Sequence, residues 1–392
     1  NSNPFDAYLL VQGIKTLELR MDRHCSNAEQ LAKFLNQHAN VINVHYAGLK
    51  NHPDYRKGDY IGLNGIEKSY EKELRGKRGI KYVYRDNLGV EHSVANGQLD
   101  SAAQEGVDLY ATIDAELQKY GEMLMQNKRG CIVAIEPSTG EILALVSAPT
   151  FDPNLLVGRA RGTNFAALAK DPLKPLFNRA TQAQYRPGSI FKLAQSLTAL
   201  QLGAITKDTR IACNRSLIGC HGAHSMDDLE MAIVHSCNPY FRGVLQRVVE
   251  ANRDPNNRAK DAAIGLSIWN EQIRKLGFGS NLGSDLPGMK KGNVPGTEYY
   301  NKKYGVEGWN FSTIYSIAIG EGELLINPVQ MCNLACIIAN RGFYVPPHTV
   351  KQIGRGGTAR SEYVTRVDVG VKPEYFETVV SAEDAKAMKP DP

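Results

Sequence analysis

The stretch QYRPGSIFKLAQSLTAL, residues 184–200, contains a serine and a lysine whose spacing suits nucleophilic catalysis. A Pro-Gly turn precedes Ser189, and the apolar residues after it predict a buried helix with Ser189 in the first turn. Lys192 follows three residues later, so both side chains lie on one helix face. Burial favours the neutral amine of a lysine, which can accept the hydroxyl proton, and the helix N-terminus offers N–H groups to an oxyanion. The pattern predicts Ser189 as nucleophile and Lys192 as its base.

The same Ser-x-x-Lys spacing also occurs at Ser69 and Lys72, so spacing alone does not identify a catalytic pair. The segment around Ser69, EKSYEKELRGKRG, is densely charged, and Lys72 is most simply a solvated helix residue. An accidental pairing of two common residue types is therefore the alternative that any catalytic interpretation must overcome.

A second polar group lies in HSCNPYF, the only segment with a Ser-x-Asn pattern. Ser236 ends an apolar helical pattern, which predicts that it lies on a loop or at a helix junction. One interpretation is a simple Ser/Asn turn before Pro239. The functional interpretation is a second hydroxyl beside Lys192, with the Asn238 amide holding a substrate carbonyl.

Residues 213–237 are rich in soft metal ligands, and the spacing C-x6-C-x3-H-x12-C is close to that of structural zinc sites. It predicts a tetrahedral Zn²⁺ on Cys213, Cys220, His224 and Cys237. His224 is preferred to His221 because Gly222-Ala223 lets the chain turn before it. Four protein ligands leave no position for water, so the ion would be structural. A Cys213–Cys220 disulfide in an oxidising compartment and unpaired thiols with exposed histidines are the alternatives.

The composition, with 42% hydrophobic and 22% charged residues, is typical of a soluble globular protein, and 392 residues predict two or three domains. The net charge of +5 is modest, and acidic residues interleave with the basic ones, which argues against a nucleic-acid partner. No run of about 18 apolar residues and no signal peptide are visible. Cys131, Cys332 and Cys336 lie in apolar segments and are predicted to be core residues.

Residues 1–108 are polar and irregular, which predicts an elongated accessory domain rather than a catalytic core. A helix is predicted over LELRMDRHCSNAEQLAKFLNQ and a short one over GIEKSYEKELRGKRG, ended by Gly76. The alternating segment GIKYVYRDNLGVEHSVANG predicts a hairpin.

Residues 109–392 have a different pattern, which predicts an α+β domain. A strand over Leu109 to Ile113 precedes a helix started by Asp114, and GCIVAIEPSTGEILALVSAP predicts two strands joined at residues 138–141. Helices dominate after residue 150, including 189–202 and 328–342. The early strand pair is expected to be completed into a sheet by later strands.

Together these residues carry a family resemblance. PGSIFK followed by SCN, with IVAIEPSTGEILALVSAPTFDPN, PLFNRATQAQYRPGS, SDLPGMKKGNVP and AIGEGELLINPVQMCNLACIIANRGFYVPPH, resembles the class B penicillin-binding proteins over nearly all of 109–350. PTFDPNLL followed by DPLKPLFNRATQ is closest to the elongation type, the penicillin-binding protein 2 group. YIGLNGIEKSYEKELRGKRG resembles the end of the N-terminal pedestal domain of that family.

The resemblance implies an antiparallel sheet flanked by helices and a peptidoglycan D,D-transpeptidase. It implies that Ser189 attacks a D-Ala-D-Ala stem peptide, Lys192 is the general base, Ser236 the proton relay and Asn238 a substrate-amide contact. An amine of a neighbouring stem then takes the acyl group, and β-lactams imitate the donor. The family also implies a membrane anchor upstream, a location on the periplasmic face of the bacterial inner membrane, and as partners a SEDS-type glycosyltransferase and elongation-complex proteins. Some elongation-type relatives carry a metal at the place of the cysteine-histidine cluster.

The sequence departs from the family pattern at one active-site element. The K-[ST]-G segment expected after YVPPH is absent, and GRGGT at 354–358 is not assigned to it. The R-G-x-I-x-D-R-N-G opening is absent too. Either the chain is truncated or incompletely represented, or it lacks the element. The rival interpretations are a division-type transpeptidase, a serine β-lactamase, and a non-catalytic β-lactam sensor or scaffold.

Overall fold

The computed structural model describes residues 27–28, 30–32, 34, 64–81, 83–85, 90–93, 100–156, 160–221 and 224–387. The chain divides into two compact units. One comprises residues 1–109, 125–130 and 147–178, and the other comprises 110–124, 131–146 and 179–392. The predicted helix at residues 17–37 falls mostly outside the described residues. The predicted domain boundary at residues 108 and 109 stays a prediction.

In the first unit, the short helical segment predicted before Gly76 forms two turns, α1 (Gly65–Ser69) and α2 (Glu71–Arg75). Asn64 Oδ1 accepts the N–H of Gly65 at 2.9 Å, and Gly76 ends α2 with a φ of 66°. The predicted hairpin strands are β1 (Val83–Arg85) and β2 (Glu91–Ser93), which pair antiparallel. The turn between them lies outside the described residues. The unit also contains α4 (Arg161–Lys170).

The start of the second sequence region folds as its pattern predicts. Strand β3 (Leu109–Ala111) precedes α3 (Ala115–Leu124), and Asp114 caps this helix by accepting the N–H groups of Glu116 and Leu117 at 3.0 and 2.9 Å. Strands β4 (Gly130–Ile135) and β5 (Ile142–Ala148) are hydrogen-bonded neighbours. Alternate side chains of β5 are buried, as expected for a strand that packs one face on a core.

The expectation that later strands complete the β4–β5 sheet is wrong within the described residues. Strand β9 (Val350–Ile353) pairs with β3, and β8 (Phe343–Tyr344) pairs antiparallel with β10 (Val367–Asp368). The chain before β9 runs beside the start of β5, where Ile142 donates its N–H to the carbonyl of His348 at 2.9 Å, but this contact ends after one bridge. Two-residue strands are too short to add a full edge to a seven-residue strand.

Helices form the core of the second unit around α6 (Phe191–Gln201), in which most residues are buried. Phe191 packs on Trp269 and Phe278 with ring centroids 6.1 and 5.8 Å apart, and the indole N–H of Trp269 donates to Gln195 Oε1 at 2.7 Å. The oxygen of the buried Gln195 amide therefore has a hydrogen-bond donor. The α+β class predicted from the sequence is confirmed.

The other described elements of this unit are α5 (Arg179–Gln182), β6 (Ile211–Ala212), β7 (Met226–Asp227), α7 (Leu229–Val234), α8 (Asn238–Val249), α9 (Arg258–Lys275), α10 (Thr297–Tyr304), α11 (Phe311–Ile314), α12 (Pro328–Ala339) and α13 (Pro373–Ala387). Helix α12 matches the apolar run predicted as a helix over 328–342. Among the residues described, no helix combines the length and apolar character that a membrane crossing requires.

Candidate active site

Ser189 lies on a 3-10 turn, Gly188–Ile190, that leads directly into α6. The turn is positioned by a glycine contact. Gly188 has a φ of 61° and donates its N–H to the carbonyl of Gly320 at 3.0 Å. Gly320 has a φ of 76°, and a Cβ at that position would lie 2.1 Å from the carbonyl oxygen of Gly188. A side chain at residue 320 would therefore displace the turn that carries Ser189.

Alanine at Gly320 is expected to destabilise the protein more than alanine at Gly203. Gly203 also has a positive φ, 65°, but a Cβ there meets nothing within 4 Å. Gly203→Ala should cost about 1 kcal/mol for the left-handed backbone, and Gly320→Ala about 2 kcal/mol more for the overlap. Urea unfolding of both variants measures the difference, and equal midpoints would contradict the close approach.

Lys192 is 2% exposed and its ammonium is surrounded by acceptors. Nζ donates to the carbonyl of Ser236 at 2.6 Å, to Ser236 Oγ at 2.9 Å and to Asn238 Oδ1 at 2.6 Å. The Phe241 ring lies 5.6 Å from Nζ. A buried lysine held in this way is positioned to exchange a proton with Ser236 and is not a surface charge.

Ser236 connects the lysine to the serine of the 3-10 turn. Its Oγ receives the hydrogen bond from Lys192 and donates to Ser189 Oγ at 3.0 Å. Ser236 has a φ of 52°, a left-handed conformation that is uncommon for residues other than glycine. Strained backbone of this kind persists where the surroundings determine it, and functional sites are frequent places. The structure thus brings Ser189, Ser236 and Lys192 into one hydrogen-bonded chain.

Asn238 begins α8, and both ends of its amide bind within the protein. Oδ1 accepts from Lys192, and Nδ2 donates to the carbonyl of Gly219 at 2.8 Å. Its predicted contact with a substrate amide therefore requires an exchange of one of these bonds and stays a prediction. The link to Gly219 was not anticipated from the sequence, because backbone carbonyls in irregular loops leave no sequence pattern.

The predicted metal ligands converge. One donor atom from each of Cys213, Cys220, His224 and Cys237 lies within 4.8 Å of the others, and Cys220 Sγ is 3.7 Å from His224 Nε2. His221 is exposed and lies outside this group, which we call the thiol cluster. The six described cysteines are free thiols, so Cys213 and Cys220 form no disulfide here.

The donor chemistry of the thiol cluster fits a soft or borderline divalent ion. Cys237 is fully buried, and burial raises its pKa, with Cys213 and Cys220 adding to the effect. Cysteines bind metals as thiolates, and a bound divalent ion offsets the negative charge that converging thiolates bring together. Thiolate and imidazole donors at about 2.3 and 2.1 Å from a tetrahedral ion lie about 3.6 Å apart, near the observed Cys220–His224 contact.

Asp227 and His235 form a second group with His224 that the sequence reasoning missed. Their donor atoms also lie within 4.8 Å of one another. The signal was present, since His235 stands among the cysteines and histidines of 213–237. Its significance depended on Asp227, whose carboxylate is brought to both rings only by the fold.

GRGGT at 354–358 lies in a turn that follows β9. Ile353 donates its N–H to Thr358 at 3.2 Å, and Gly357 donates to Gly354 at 3.2 Å. These residues close a loop and do not form a strand within the described structure.

The hydrogen-bonded chain Ser189–Ser236–Lys192 lies at the start of a buried helix within an α+β domain. This is the arrangement of the penicillin-binding proteins, in which the serine of Ser-x-x-Lys is the nucleophile. Residues 130–390 match the family model of the penicillin-binding protein transpeptidase domain, and the chain belongs to this family. Residues 1–59 match a different family model, that of Cys/Met metabolism PLP-dependent enzymes, and the two matches do not overlap. The family resemblance seen in the sequence is confirmed.

Curated relatives include peptidoglycan D,D-transpeptidases named MrdA. The Acinetobacter baumannii protein is 32% identical over 308 residues, which cover 76% of this chain and 43% of the relative. The Escherichia coli K12 protein is 31% identical over 307 residues, covering 76% of this chain and 45% of the relative. The chain therefore spans less than half the length of these relatives.

Solved structures of penicillin-binding protein 2 have a similar fold. The Pseudomonas aeruginosa protein in complex with WCK 5153 gives a TM-score of 0.66 at 25% identity, covering 86% of this chain and 72% of that one. The Helicobacter pylori protein in complex with MreC gives 0.65 at 26% identity, covering 82% and 56%. A peptidoglycan synthase complex described as coordinating polymerization and crosslinking gives 0.62 at 28% identity, covering 84% and 57%.

Proposed function

We propose that the protein is a serine-type peptidoglycan D,D-transpeptidase of the elongation type, acting through a Ser189 acyl-enzyme and inhibited by β-lactams. The observation that carries this proposal is the chain from Lys192 Nζ through Ser236 Oγ to Ser189 Oγ. It offers a route for the serine proton without histidine or metal, which is what acyl transfer through a serine ester needs. The family and the MrdA relatives support the same reaction class.

Acylation would use this hydrogen-bonded chain to move the proton of Ser189. With Lys192 as the neutral amine, the two hydroxyls turn so that Ser189 donates to Ser236 and Ser236 donates to Lys192. Ser189 Oγ then attacks the carbonyl carbon of the D-Ala-D-Ala peptide bond as its proton passes through Ser236 to Lys192. N–H groups at the N-terminus of α6 would stabilise the oxyanion. When the carbon–nitrogen bond breaks, the leaving amine of D-Ala takes a proton back from Lys192, and the ester on Ser189 remains.

Transfer uses the same proton route, with the acceptor amine in the place of Ser189. The amine of a neighbouring stem peptide attacks the ester carbonyl and loses a proton through Ser236 towards Lys192. Ser189 Oγ leaves and takes that proton back from Lys192 through Ser236, which restores the hydrogen-bonded chain. The product is a peptide crosslink, and a water in place of the acceptor amine would give carboxypeptidase chemistry instead. A β-lactam forms the same ester, but its ring-opened acyl group stays attached.

We also propose a structural Zn²⁺ on Cys213, Cys220, His224 and Cys237. Cys237 lies between Ser236 and Asn238, and Asn238 Nδ2 binds the carbonyl of Gly219 next to Cys220. An ion on these cysteines would fasten the irregular loop before β7 to the segment that positions Lys192. When bound, it would supply thiolate coordination and rigidity and no step of the reaction.

The partners and location follow from the relatives and are proposed for the whole protein. The Helicobacter pylori relative is described in complex with MreC, and another relative belongs to a complex that coordinates polymerization and crosslinking. We infer a SEDS-type glycosyltransferase and elongation-complex proteins as partners, at the periplasmic face of the inner membrane. Residues 1–108 are proposed as a pedestal that docks them. The basis for the pedestal is the family resemblance of residues 60–79. Residues 1–59 match the model of another family and do not contribute to it.

Two readouts test the reaction and separate it from a non-catalytic sensor. Covalent labelling by a fluorescent penicillin, followed by intact-protein mass spectrometry, should show one adduct per chain. Incubation with a D-Ala-D-Ala stem peptide should release D-Ala, and an amine acceptor should divert the acyl group into a new amide. Labelling without D-Ala release would favour a sensor, and an unlabelled folded protein would refute the enzymatic proposal.

A further inference from the structure

One segment, residues 320–326, runs beside the turn that carries the proposed nucleophile, and we call it the clamp. Gly188 donates its N–H to the carbonyl of Gly320 at 3.0 Å. Tyr185 and Ile326 exchange two backbone hydrogen bonds, at 2.9 and 2.8 Å. Because both ends of the clamp bind the chain just before the nucleophile, a shift of the clamp would also shift the nucleophilic hydroxyl.

The backbone bonds that hold the clamp on its other side lie toward its C-terminal end. Asn293 and Leu325 exchange two backbone hydrogen bonds, at 2.6 and 2.9 Å. Nearer to Gly188, the clamp contains Gly320 and Gly322, whose φ values are 76° and 68°. Because glycine restricts its own backbone least, this end of the clamp depends on anchors that side chains supply.

Glu323 supplies such an anchor from within the clamp. Its side chain is 18% exposed, and Oε1 accepts a hydrogen bond from Lys303 Nζ at 2.8 Å while Oε2 accepts one from the Tyr300 hydroxyl at 3.2 Å. Burial would raise the pKa of the Glu323 carboxyl, but the hydrogen bond from Lys303 outweighs it and the pKa is lowered. The carboxylate is therefore charged at neutral pH, and both of its oxygens are bound.

Both partners of this carboxylate belong to α10, which is fixed to the rest of the unit. Tyr300 is fully buried, and its ring centroid lies 5.3 Å from that of Trp309. Thr297 Oγ1, at the start of α10, donates to the carbonyl of Ala263 in α9 at 3.0 Å. Glu323 thus connects the clamp to a helix that is packed on the core.

The neighbouring acid of the clamp makes a much weaker contact. The side chain of Glu321 is 46% exposed, and its Oε2 lies 3.9 Å from Nη1 of Arg186, which is 60% exposed. An exposed ion pair at this distance contributes little. Glu321 is therefore the reference against which the effect of Glu323 can be measured.

We propose that Glu323 is a positioning residue for Ser189. Its carboxylate, held by Tyr300 and Lys303, fixes the clamp, and the clamp in turn sets the place of the nucleophilic oxygen during acylation. This inference rests on the proposed function and adds a residue outside the hydrogen-bonded chain that moves the proton. A misplacement of about 1 Å can cost about 100-fold in rate, so a loosened clamp should slow acylation while the first, non-covalent binding of a penicillin is kept.

The test follows acylation of the whole chain by a fluorescent penicillin at several concentrations. This separates the dissociation constant of the first complex from the first-order rate constant of acylation. Glu323→Ala is expected to lower that rate constant about tenfold, with the dissociation constant unchanged. Glu321→Ala, the matched control, should keep both constants. A merely structural role would instead lower the amount of protein that becomes labelled, because unfolded chains do not react.

Two milder variants keep the test decisive if Glu323→Ala does not fold. Tyr300→Phe and Lys303→Met each remove one hydrogen-bond donor from the carboxylate. Each should lower the rate constant of acylation in the same direction as Glu323→Ala and by a smaller factor, since one anchor of the carboxylate remains.

The possible results separate the positioning role from the reaction itself. Equal rate constants in Glu323→Ala and Glu321→Ala would overturn the positioning role and leave the proposed function intact. Unchanged rate constants in both Tyr300→Phe and Lys303→Met, or an effect of Glu323→Ala on the dissociation constant alone, would overturn it too. A folded wild-type protein that is not labelled would refute the proposed function and, with it, the positioning role.

Discussion

Replacing Ser189 by alanine is expected to abolish covalent labelling by a fluorescent penicillin, whereas replacing Ser69 by alanine should leave it unchanged. Ser189 Oγ is the proposed site of the ester. Ser236 Oγ and Lys192 Nζ hold the other two positions of the hydrogen-bonded chain, so neither is expected to replace the nucleophile. Removing the nucleophile removes the acyl-enzyme as a species, so labelling should fall to background rather than by a fraction.

Ser69 is a demanding control because it has the same Ser-x-x-Lys spacing with Lys72. Ser69 lies in α1 and Lys72 in the short, charged helix α2. Neither helix has a buried residue, so Lys72 is not a buried base. Labelling after identical incubation of both variants and the unchanged protein, with peptide mapping of the adduct, is the measurement. An adduct that persists in Ser189→Ala would place the nucleophile elsewhere and would contradict the proposed mechanism.

Removal of metal from the thiol cluster is expected to lower both stability and the rate of penicillin acylation. Without an ion, the loop before β7 loses its attachment to Cys237, and the Gly219–Asn238 bond that orients the partner of Lys192 weakens. Structural zinc contributes many kcal/mol in isolated small domains. Even a loss of about 4 kcal/mol should lower the Tm by about 10 °C in a domain of this size.

Cys220→Ser tests this expectation against Cys332→Ser. Both cysteines are partly buried, but only Cys220 belongs to the thiol cluster. The ligand variant should purify without stoichiometric zinc, melt at lower temperature and acylate more slowly, while Cys332→Ser should keep its metal. Elemental analysis and thermal unfolding supply the readouts. Purified wild-type protein without zinc, with Cys213 and Cys220 joined, would instead establish the disulfide alternative.

Local patterns accounted for most of the elements around the site. Asp114 at the start of the helical segment predicted the beginning of α3, and the two apolar runs in GCIVAIEPSTGEILALVSAP predicted β4 and β5. The apolar period after Ser189 predicted α6, and Lys192 is buried in it as expected. These signals are local because capping and one-sided burial are properties of a few consecutive residues.

The sheet was the part that local reasoning misjudged. Which strands pair is decided by contacts between distant segments, and β9 pairs with β3 instead of extending β4 and β5. Strand patterns indicate that a segment is extended, but they do not identify its neighbour. The short lengths of β8 and β10 were likewise not visible in the hydrophobic pattern.

By itself, the sequence determined which residues are chemically able to act: Ser189, Lys192, Ser236 and Asn238, and the cysteines and histidine of the thiol cluster. Only the tertiary structure decided how they are connected. It placed Ser236 between Ser189 and Lys192, turned both ends of the Asn238 amide inward, and brought Asp227 against two histidines. The physical reason is that residue types and helical spacing are encoded locally, whereas hydrogen-bond partners across 44 residues and the desolvation of a carboxylate arise from packing.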